Sequence, residues 1–393
     1  GGIHEFFKYT KPHRKLLEQI ELVIIDEISM VRADIIDAID RILRVYSHNL
    51  REPFGGKQLL LVGDVFQLEP VVKNDEREIL NRFYPTPYFF SARVFGQIDL
   101  VSIELQKVYR QTDPVFVGVL DHIRNNTAGA ADLQLLNTRY GSQIEESEAD
   151  MYITLATRRD TVDSINEKKL AELPGDPITF EGVIEGDFPE SSLPTSQELV
   201  LKPGAQIIFI KNDFDRRWVN GTIGVIAGID EEEETIYVIT DDGKECDVKR
   251  ESWRNIRYRY NEKTKEIEEE VLGSFTQYPI RLAWAITVHK SQGLTFSRVV
   301  IDFTGGVFAG GQAYVALSRC TSLDGIQLKK PINRADVFVR PEIVNFAGRF
   351  NDRQAIDKAL KQAQADVQYA AASRAFDKGD MEECLEQFFR AIH

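Results

Sequence analysis

The stretch Leu22-Val-Ile-Ile-Asp-Glu-Ile-Ser-Met30 decides how this 393-residue chain is interpreted. It opens with a short apolar run, and a second run, Leu59-Leu-Leu-Val62, ends in Gly63-Asp64. Apolar runs of this length are typical of strands that are covered on both faces of a parallel sheet. Between them, apolar residues recur at helical spacing from Ile35 to Tyr46. The order strand, helix, strand predicts a crossover unit in an α/β domain.

Asp26 and Glu27 follow the first apolar run. They are predicted to emerge at the carboxyl edge of the sheet, where open α/β sheets bind ligands. An aspartate there can hold Mg²⁺, usually through water, and the next glutamate can polarise the water that attacks the γ-phosphate of ATP. Asp64 and Gln67 follow the second run and would reach the same edge, where Gln67 can bond the γ-phosphate or its water. The alternative is that all four are ordinary strand-end and loop residues.

A second α/β region is predicted to begin near residue 104. The sequence indicates helices at 115–123 and 160–170 and strands at 152–156, 281–286 and 298–302. Two arginines of this region, Arg110 and Arg319, are candidates for stabilising charge on a transferring phosphoryl group across a cleft between domains. The turn Thr287-Val-His-Lys-Ser-Gln-Gly293 packs donors and a glycine together, which suits phosphates of a nucleotide or of a nucleic-acid backbone.

Short alternating segments from 205 to 278, with Asp241-Asp-Gly243 as a hairpin turn, predict a small, barrel-like all-β insertion in the second domain. The last 45 or so residues are predicted to be helical, and Gly379-Asp380 separates two helices. These helices are similar to the start of a tetratricopeptide repeat, with a plain helical tail as the alternative.

The formal net charge is −14, from 48 Lys and Arg against 62 Asp and Glu. This balance argues against a surface that binds nucleic acid everywhere, but it permits a local basic groove with salt-dependent binding. Candidate patches are Arg158-Arg159, Arg216-Arg217 and residues 254–260, each of which could also be a solvated strand face. No apolar run is long enough for a membrane span. Three isolated cysteines fit a reducing, cytoplasmic compartment.

Together, these segments resemble the PIF-type DNA helicases, relatives of the RecD subunits within helicase superfamily one. Five segments match in the family's order over roughly residues 1–330: Leu22–Met30, Phe54–Gln58 continuing into Gly63–Leu68, Leu105–Gln111, Trp284–Gly293 and Tyr314–Arg319. Five ordered motifs are far more specific than any one of them.

The resemblance implies two RecA-like domains of the P-loop NTPase type with ATP between them, an SH3-like insertion in the second and 5′-to-3′ translocation on single-stranded DNA. The predicted limits are 1–103 for the first domain, 104–204 with 279–345 for the second, 205–278 for the insertion and 346–393 for the helical tail.

The family also implies roles for single residues. Asp26 and Glu27 would serve Mg²⁺ and the attacking water, Gln67 would sense the γ-phosphate, and Arg110 and Arg319 would approach the phosphates. Asp64, Gln292 and Gly293 are assigned to the nucleotide cleft. DNA contacts are assigned to His4, His289, Lys290 and Ser291, and Trp218 of the insertion is a further candidate, with a place in the core as its alternative.

The chain departs from the family at three points. No G-x-x-x-x-G-K-[ST] occurs in it, so the lysine and amides that cradle nucleotide phosphates are absent from these 393 residues. We expect them in a region outside this sequence and expect the chain by itself to be inactive. Glu5 replaces a small hydroxyl residue of a DNA-contact segment, and Glu69 stands where the family usually has proline, which leaves the path of that loop open.

The sequence therefore predicts an ATP-dependent DNA helicase that acts as a monomer on single-stranded DNA and at junctions of single- and double-stranded DNA. A protein partner is expected at the C-terminal helices. The alternative is a non-catalytic, helicase-like scaffold with a repeat-type protein-binding tail. RNA in place of DNA, as the strand along which the protein moves, is a further alternative.

Overall fold

The computed structural model of the chain describes residues 11–142 and 151–392. Its first α/β region contains the helices α1 (Lys11–Gln19), α2 (Ala33–Tyr46) and α3 (Asn74–Phe83) and the strands β1 (Leu22–Ile25) and β2 (Gln58–Leu61). The two strands pair in parallel, from Leu22 opposite Gln58 to Ile25 opposite Leu61. The predicted strand, helix, strand crossover is confirmed.

The expectation that these strands are covered on both faces is wrong for the described structure. Successive strand side chains point to opposite faces, and burial alternates along both β1 and β2. Ile28, Ile36 and Phe54 belong to the buried core on one side of the sheet. Ile24, by contrast, is 59% exposed. The sheet has only these two strands among the described residues, and its other face carries apolar side chains that nothing described covers.

The second α/β region is built on four parallel strands in the order β14, β3, β15, β16. Its elements are α4 (Pro114–Arg124), α5 (Ala130–Asn137), β3 (Ile153–Ala156), α6 (Arg159–Glu172), β14 (Ala285–Thr287), β15 (Val299–Asp302), α7 (Gln312–Ser318), β16 (Ile326–Leu328) and α8 (Pro341–Ala347). The sheet and α4, α5 and α7 enclose the largest core of the described structure, with Phe116, Leu155 and Ile301 buried in it. The helices predicted at 115–123 and 160–170 are confirmed as α4 and α6.

Ten strands, β4 to β13, lie in sequence between α6 and β14. They are β4 (Ile178–Glu181), β5 (Val183–Gly186), β6 (Glu198–Leu201), β7 (Gln206–Phe209), β8 (Ile223–Asp230), β9 (Thr235–Thr240), β10 (Glu245–Val248), β11 (Glu251–Asn261), β12 (Glu266–Gln277) and β13 (Ile280–Leu282). A five-stranded sheet runs in the order β10, β9, β8, β7, β13. The predicted turn at Asp241-Asp-Gly243 joins β9 to β10, with Gly243 at φ 80°. All-β structure thus begins at Ile178 and ends at Leu282.

The single strand predicted at 281–286 is two strands in two different sheets. Arg281 in β13 pairs antiparallel with β7, whereas Ala285 in β14 pairs parallel with β3. The chain crosses between the sheets at Ala283, which is fully buried and whose amide donates to the Gln206 carbonyl at 2.9 Å. The Gln206 side chain in turn donates to the carbonyls of Tyr152 and Ala283. A continuous apolar run cannot reveal such a change of sheet, because both halves need buried side chains.

The candidate basic patch at 254–260 is not a free basic surface. It lies within the strand β11, and the antiparallel neighbour β12 places three glutamates, 268 to 270, opposite residues 257–259. Arg254 pairs with Glu269 at 3.5 Å and Arg259 pairs with Glu268 at 3.2 Å. Cross-strand pairing of opposite charges therefore neutralises much of this hairpin.

The C-terminal region consists of α9 (Arg353–Asp377) and α10 (Met381–Ile392), which pack against each other. The predicted break at Gly379-Asp380 is confirmed, with Gly379 at φ 78°. Both helices expose large apolar side chains, among them Val367, Phe376 and Phe389. No described helix combines the length and the apolar character that a membrane span requires.

We expect Trp218 to be a core residue whose loss destabilises the all-β region. Its side chain is 4% exposed and stacks on Phe209 at 4.3 Å between ring centroids. Trp218→Ala should lower the free energy of unfolding by about 3–5 kcal/mol, the range for deleting a buried aromatic side chain. Phe214→Ala, in the same loop but 98% exposed, is the matched control and should change it little. Denaturant unfolding followed by circular dichroism measures both, and equal effects would contradict the core assignment.

Candidate functional site

Three predicted side chains from two domains meet at one point. The Gln292 amide donates from Nε2 to Glu27 Oε2 at 2.8 Å and to Gln67 Oε1 at 3.2 Å. Gln292 directly follows a short helical turn after β14, whereas Glu27 and Gln67 follow β1 and β2. The carboxyl edges of the two parallel sheets therefore face each other, and a single amide joins them.

The local backbone presents the two carboxylates at the end of β1. Glu27 has the left-handed conformation, with φ 51° and ψ 44°, which is uncommon for a residue other than glycine. The Glu27 amide donates to Asp26 Oδ1 at 2.8 Å, and the Ile28 amide donates to the Val62 carbonyl at 3.1 Å. The sharp turn leaves both carboxylates exposed at the cleft.

These carboxylates fit a magnesium ion of the kind that accompanies a nucleotide. Mg²⁺ usually keeps several waters and takes one or two carboxylates together with substrate phosphates. Asp26 and Glu27 are adjacent and exposed, and Asp26 uses one oxygen for a main-chain amide. Within residues 11–142 and 151–392 there is no group of three His, Cys, Asp or Glu side chains that could form a metal site on its own. The geometry therefore suits an ion shared with a ligand and not a closed protein site.

Arg319 is buried at this cleft without a carboxylate bonded to it. It is 1% exposed, and its guanidinium donates to the carbonyls of Val315 at 3.0 Å and Leu294 at 3.2 Å. Burial, together with the nearby positive charge of Arg110, lowers the pKa of Arg319 to about 10. The group remains cationic at neutral pH, and a negative charge beside it would be stabilising.

Arg110 reaches the cleft from the segment before α4. Its Nε donates to Thr295 Oγ1 at 2.9 Å, three residues after Gln292. The charge of Arg110 acts on Arg319, and the charges of Glu27 and Asp64 act on Arg319 as well. The structure thus brings both predicted arginines to the same region as the predicted carboxylates.

Sequence reasoning missed Arg124 at the end of α4. Arg124 Nη1 lies 2.9 Å from Glu104 Oε1, Nη2 lies 3.5 Å from Asp64 Oδ1, and the guanidinium lies over the ring of Phe66. Burial opposes its charge, but these carboxylates raise its pKa overall. Asp64, predicted as a nucleotide-cleft residue, is therefore engaged with Arg124, and it also accepts from the Phe66 amide. An arginine at a helix end carries no sequence signal that separates this role from a surface position.

Glu69, the residue that replaces the family's proline, forms a contact between the domains. Its carboxylate accepts from Arg340 Nε at 2.6 Å and Nη2 at 3.1 Å, and from the Tyr88 hydroxyl at 2.9 Å. Burial would raise the pKa of Glu69, but hydrogen bonding and the charge of Arg340 lower it overall. Gly310 lies beside this pair, and the next residue, Gly311, packs so closely on the first domain that a Cβ there would lie 2.0 Å from the Gln67 carbonyl oxygen. The loop that carries Gln67 is thus held directly against the second domain.

The predicted DNA-contact residues separate into two groups. Lys290 is exposed and His289 is half-buried, and burial lowers the pKa of His289. Ser291 is fully buried, with its hydroxyl donating to the Val288 carbonyl at 2.7 Å. Trp218 is buried as well, with its indole nitrogen donating to the Lys211 carbonyl. Predictions of direct contact for Ser291 and Trp218 are corrected, because neither side chain is accessible.

Two predicted residues add little to this geometry. Gly293 follows Gln292 and has φ 80°. Outside its two chain neighbours, no described atom lies within 4 Å of the position that a Cβ would take there. Its conformation, not its bulk, explains why glycine stands there. His4 lies outside the described residues.

We expect the Glu69–Arg340 pair to hold the two domains together. Glu69→Gln should destabilise the cleft by about 1–2 kcal/mol, the value of a charge-assisted hydrogen bond reduced for partial exposure. Hydrogen exchange at residues 64–69 and 309–312 should accelerate. Because the folded-state pKa of Glu69 is lowered, the wild-type contribution is present above about pH 4.5 and is lost as the pH falls further. The matched control Glu78→Gln, an exposed position on α3, should leave exchange unchanged, and equal exchange in both variants would refute the role.

Comparisons with known proteins support the family that the motifs suggest. A family model described as PIF1-like helicase matches residues 6–124. The ATP-dependent DNA helicase Pif1 of Campylobacter jejuni is 33% identical over 329 residues, which cover 80% of this chain and 70% of the relative. Human ATP-dependent DNA helicase PIF1 is 34% identical over 312 residues, which cover 78% of this chain and 45% of the human protein. The chain thus spans about half the length of the human relative.

Comparison with solved structures supports the same family. A Bacteroides Pif1 crystal structure in complex with ADP-AlF4 is similar with a TM-score of 0.79 and 40% identity, covering 87% of this chain and 77% of that one. Pif1 helicase from Candida albicans is similar with a TM-score of 0.65 and 29% sequence identity, and the match covers 85% of this chain and 78% of that one. These matches confirm the mixed α/β fold with two RecA-like domains and a helical C-terminal region, while the SH3-like nature of the insertion stays a prediction. On identity, coverage and fold together, the chain belongs to the PIF1-like helicase family.

Proposed function

We propose that this chain is the motor of an ATP-dependent DNA helicase that moves 5′ to 3′ along single-stranded DNA and hydrolyses ATP between its two RecA-like domains. The observation that carries the proposal is the Gln292 amide bonded to both Glu27 and Gln67. A side chain that bridges the cleft at the proposed catalytic carboxylate can sense whether the cleft is open or closed. Changes in cleft width would then be passed to the rest of the second domain.

In this mechanism Glu27 would orient and polarise the water that attacks the γ-phosphate, and Asp26 would be the residue that holds Mg²⁺. The ion would supply positive charge to the phosphate oxygens. Gln67 bonds the γ-phosphate or its water, so its present bond to Gln292 would be exchanged as the nucleotide binds. Each of these residues lies at the strand edges where the cleft forms.

Arg319 and Arg110 would stabilise the charge that develops during phosphoryl transfer. The Arg319 guanidinium is held by main-chain carbonyls and is desolvated, which strengthens its interaction with an anion, but at 1% exposure it would reach the phosphates only after the cleft rearranges. Arg110 is held more loosely, by a threonine hydroxyl. The pair lies on the second domain, so its approach to the phosphates would depend on closure of the cleft.

The proposed track is single-stranded DNA, with junctions of single- and double-stranded DNA as the working substrate. A related crystal structure is described as Bacteroides Pif1 bound to ssDNA, and another concerns unwinding at forked double-stranded DNA. On this chain, exposed Lys290 and half-buried His289 lie two and three residues before Gln292. DNA held at this turn would therefore be coupled to the nucleotide cleft through one short segment. Action as a monomer stays a prediction from the sequence, because the structure on forked DNA is described as two coordinating Pif1 helicases.

Hydrolysis also needs a phosphate-cradling loop, and no G-x-x-x-x-G-K-[ST] occurs in these 393 residues. We propose that the loop belongs to the same protein, outside this stretch, and that the chain as given turns over little ATP. The uncovered apolar face of β1 and β2 is a suitable packing surface for further elements of the first domain.

A second function rests on a specific observation at the C-terminal helices. Val367, Phe376 and Phe389 are exposed on α9 and α10, and exposed large apolar side chains can take part in binding another protein. A protein partner there is compatible with the motor. It would become the main function only if the chain were a scaffold that does not hydrolyse ATP.

We expect Glu27→Gln to reduce DNA-stimulated ATP hydrolysis by about 100-fold or more, because removing a general base costs at least that much. The protein for this test is the chain extended upstream through its phosphate loop, assayed with and without single-stranded DNA. DNA binding should be spared, because Glu27 acts on the water and not on the strand. Glu78→Gln is the matched control and should turn over normally.

Unchanged turnover in Glu27→Gln would refute its assignment. An extended wild-type protein that shows no ATP hydrolysis would favour the scaffold function instead. With an active protein, unwinding of duplexes that carry either a 5′ or a 3′ single-stranded tail tests the direction, and a preference for the 3′ tail would contradict the proposed polarity.

A further inference from the structure

The loop between β7 and β8 exposes an aromatic side chain at its tip. Phe214 is 98% exposed, more than any other large apolar side chain in the described parts of the chain. Asp215 and Arg216, which follow it, are exposed as well, and Arg216 has the left-handed conformation with φ 58°. A ring in this position adds little to the stability of the fold, so its place at the tip calls for another explanation.

Polar contacts close the loop beneath this tip. Asp213 is buried, and its carboxylate accepts from Arg217 Nε and Nη2 at 2.9 Å each and from the Arg217 amide at 3.1 Å. The Asp213 amide donates to the Trp218 carbonyl, and the Arg216 amide donates to the Asp213 carbonyl, both at 3.2 Å. The backbone that carries Phe214 is therefore fixed before any ligand binds, which lowers the entropy that binding would cost.

The far end of the same loop packs on the segment that leaves the nucleotide cleft. Gly221 lies so close to Leu294 that a Cβ there would be 2.9 Å from Leu294 Cδ2. Leu294 comes two residues after Gln292, and its carbonyl accepts from Arg319 at 3.2 Å. The loop that displays Phe214 is thus in contact with the segment that joins the all-β region to the cleft.

The surroundings of Phe214 favour a nucleic-acid base over a protein surface as its partner. A protein interface needs a contiguous apolar patch, whereas Asn212, Asp215 and Arg216 are the exposed neighbours of the ring. Val219 is the one other large apolar side chain that this loop exposes. A single ring can stack on the face of one base, and an adjacent arginine attracts the phosphate backbone.

We propose that Phe214 stacks on an unpaired base of single-stranded DNA and is the contact of the β7–β8 loop with the strand. This inference rests on the proposed DNA motor and adds a DNA-binding residue to it. Arg216 would offset the charge of Asp215 where the backbone passes the tip. Stacking of this kind tolerates any base sequence, because every base has a π face.

Phe214→Ala tests the contact without disturbing the fold, because the ring is almost fully exposed. Its matched control is Tyr237→Ala, which removes a 46% exposed ring from β9 of the same all-β region. Binding of the 393-residue chain to fluorescently labelled oligothymidine is measured by anisotropy. We expect Phe214→Ala to bind at least about 5-fold more weakly, the lower end of the range for losing one stacked base. Tyr237→Ala should bind as the wild type does.

Two further variants separate stacking from a simple apolar contact. Phe214→Trp keeps an aromatic ring and should bind as tightly as the wild type. Phe214→Leu keeps an apolar side chain without a ring and should bind as weakly as Phe214→Ala. Wild-type affinity in Phe214→Leu would overturn the stacking contact.

A second measurement locates the base on the strand. A single 2-aminopurine, whose fluorescence falls when it stacks, is moved along the oligothymidine and measured with saturating protein. At one position, wild-type protein should quench it more than Phe214→Ala does. An abasic site at that position should weaken binding of the wild type and leave binding of Phe214→Ala unchanged. If no position behaves in this way, the contact is refuted.

Other outcomes separate the sources of failure. Unchanged DNA binding by Phe214→Ala overturns this inference alone and leaves the proposed motor in place. Weaker binding of a fluorescent ATP analogue by Phe214→Ala, with unchanged DNA binding, would assign the ring to the base of a nucleotide instead. Absence of DNA binding by the wild-type chain would overturn the proposed motor function together with the contact.

Discussion

The organisation of this protein depends on one side-chain contact, that of the Gln292 amide with Glu27 and Gln67. Parallel sheets present their loops at the carboxyl edge, so two such sheets can form a common site only if these edges face each other. The bridging amide fixes that relation at the carboxylate proposed for catalysis. The Glu69–Arg340 pair and the contact of Arg124 with Asp64 also span the domains beside it.

The arginines around the Gln292 contact differ in whether a carboxylate balances their charge. Arg319 is held by main-chain carbonyls, so its charge is positioned but not neutralised. Arg124, in contrast, is balanced by Asp64 and Glu104 and serves as packing beside Phe66. Glu69 and Arg340 form a bidentate pair that spans the domains, with Tyr88 completing it. A structural pair beside an unbalanced cation is the arrangement expected where a ligand supplies the missing negative charge.

The crossing at Ala283 connects the all-β region to the segment that carries Gln292 at the proposed nucleotide site. There the chain leaves the five-stranded sheet, passes the Gln206 side chain and enters the parallel sheet of the second domain. Arg281 lies just before the crossing and Gln292 lies nine residues after Ala283. Movement of the all-β region relative to the cleft would be transmitted over this short distance, because a buried, fully bonded crossing deforms little.

The sequence by itself determined the first strand, helix, strand unit, the family and the carboxylates at the end of β1. These features are local: an apolar run followed by Asp26 and Glu27 carries its meaning within nine residues. It also indicated that Arg110 and Arg319 belong to one cleft, through the order of motifs. The positions of Gln67 and Gln292 followed in the same way, although their mutual hydrogen bond did not.

Only the tertiary structure decided which side chains are accessible and which are paired. Trp218 and Ser291 are buried because the neighbouring strands and turn pack over them, and Arg254 is neutralised by a glutamate across the hairpin. The partner of Glu69 lies 271 residues away, and Arg281 and Ala285 belong to different sheets although one apolar run contains both. Burial and long-range pairing depend on how whole elements pack. A pattern along the chain records the character of each residue but not the neighbour that it will meet.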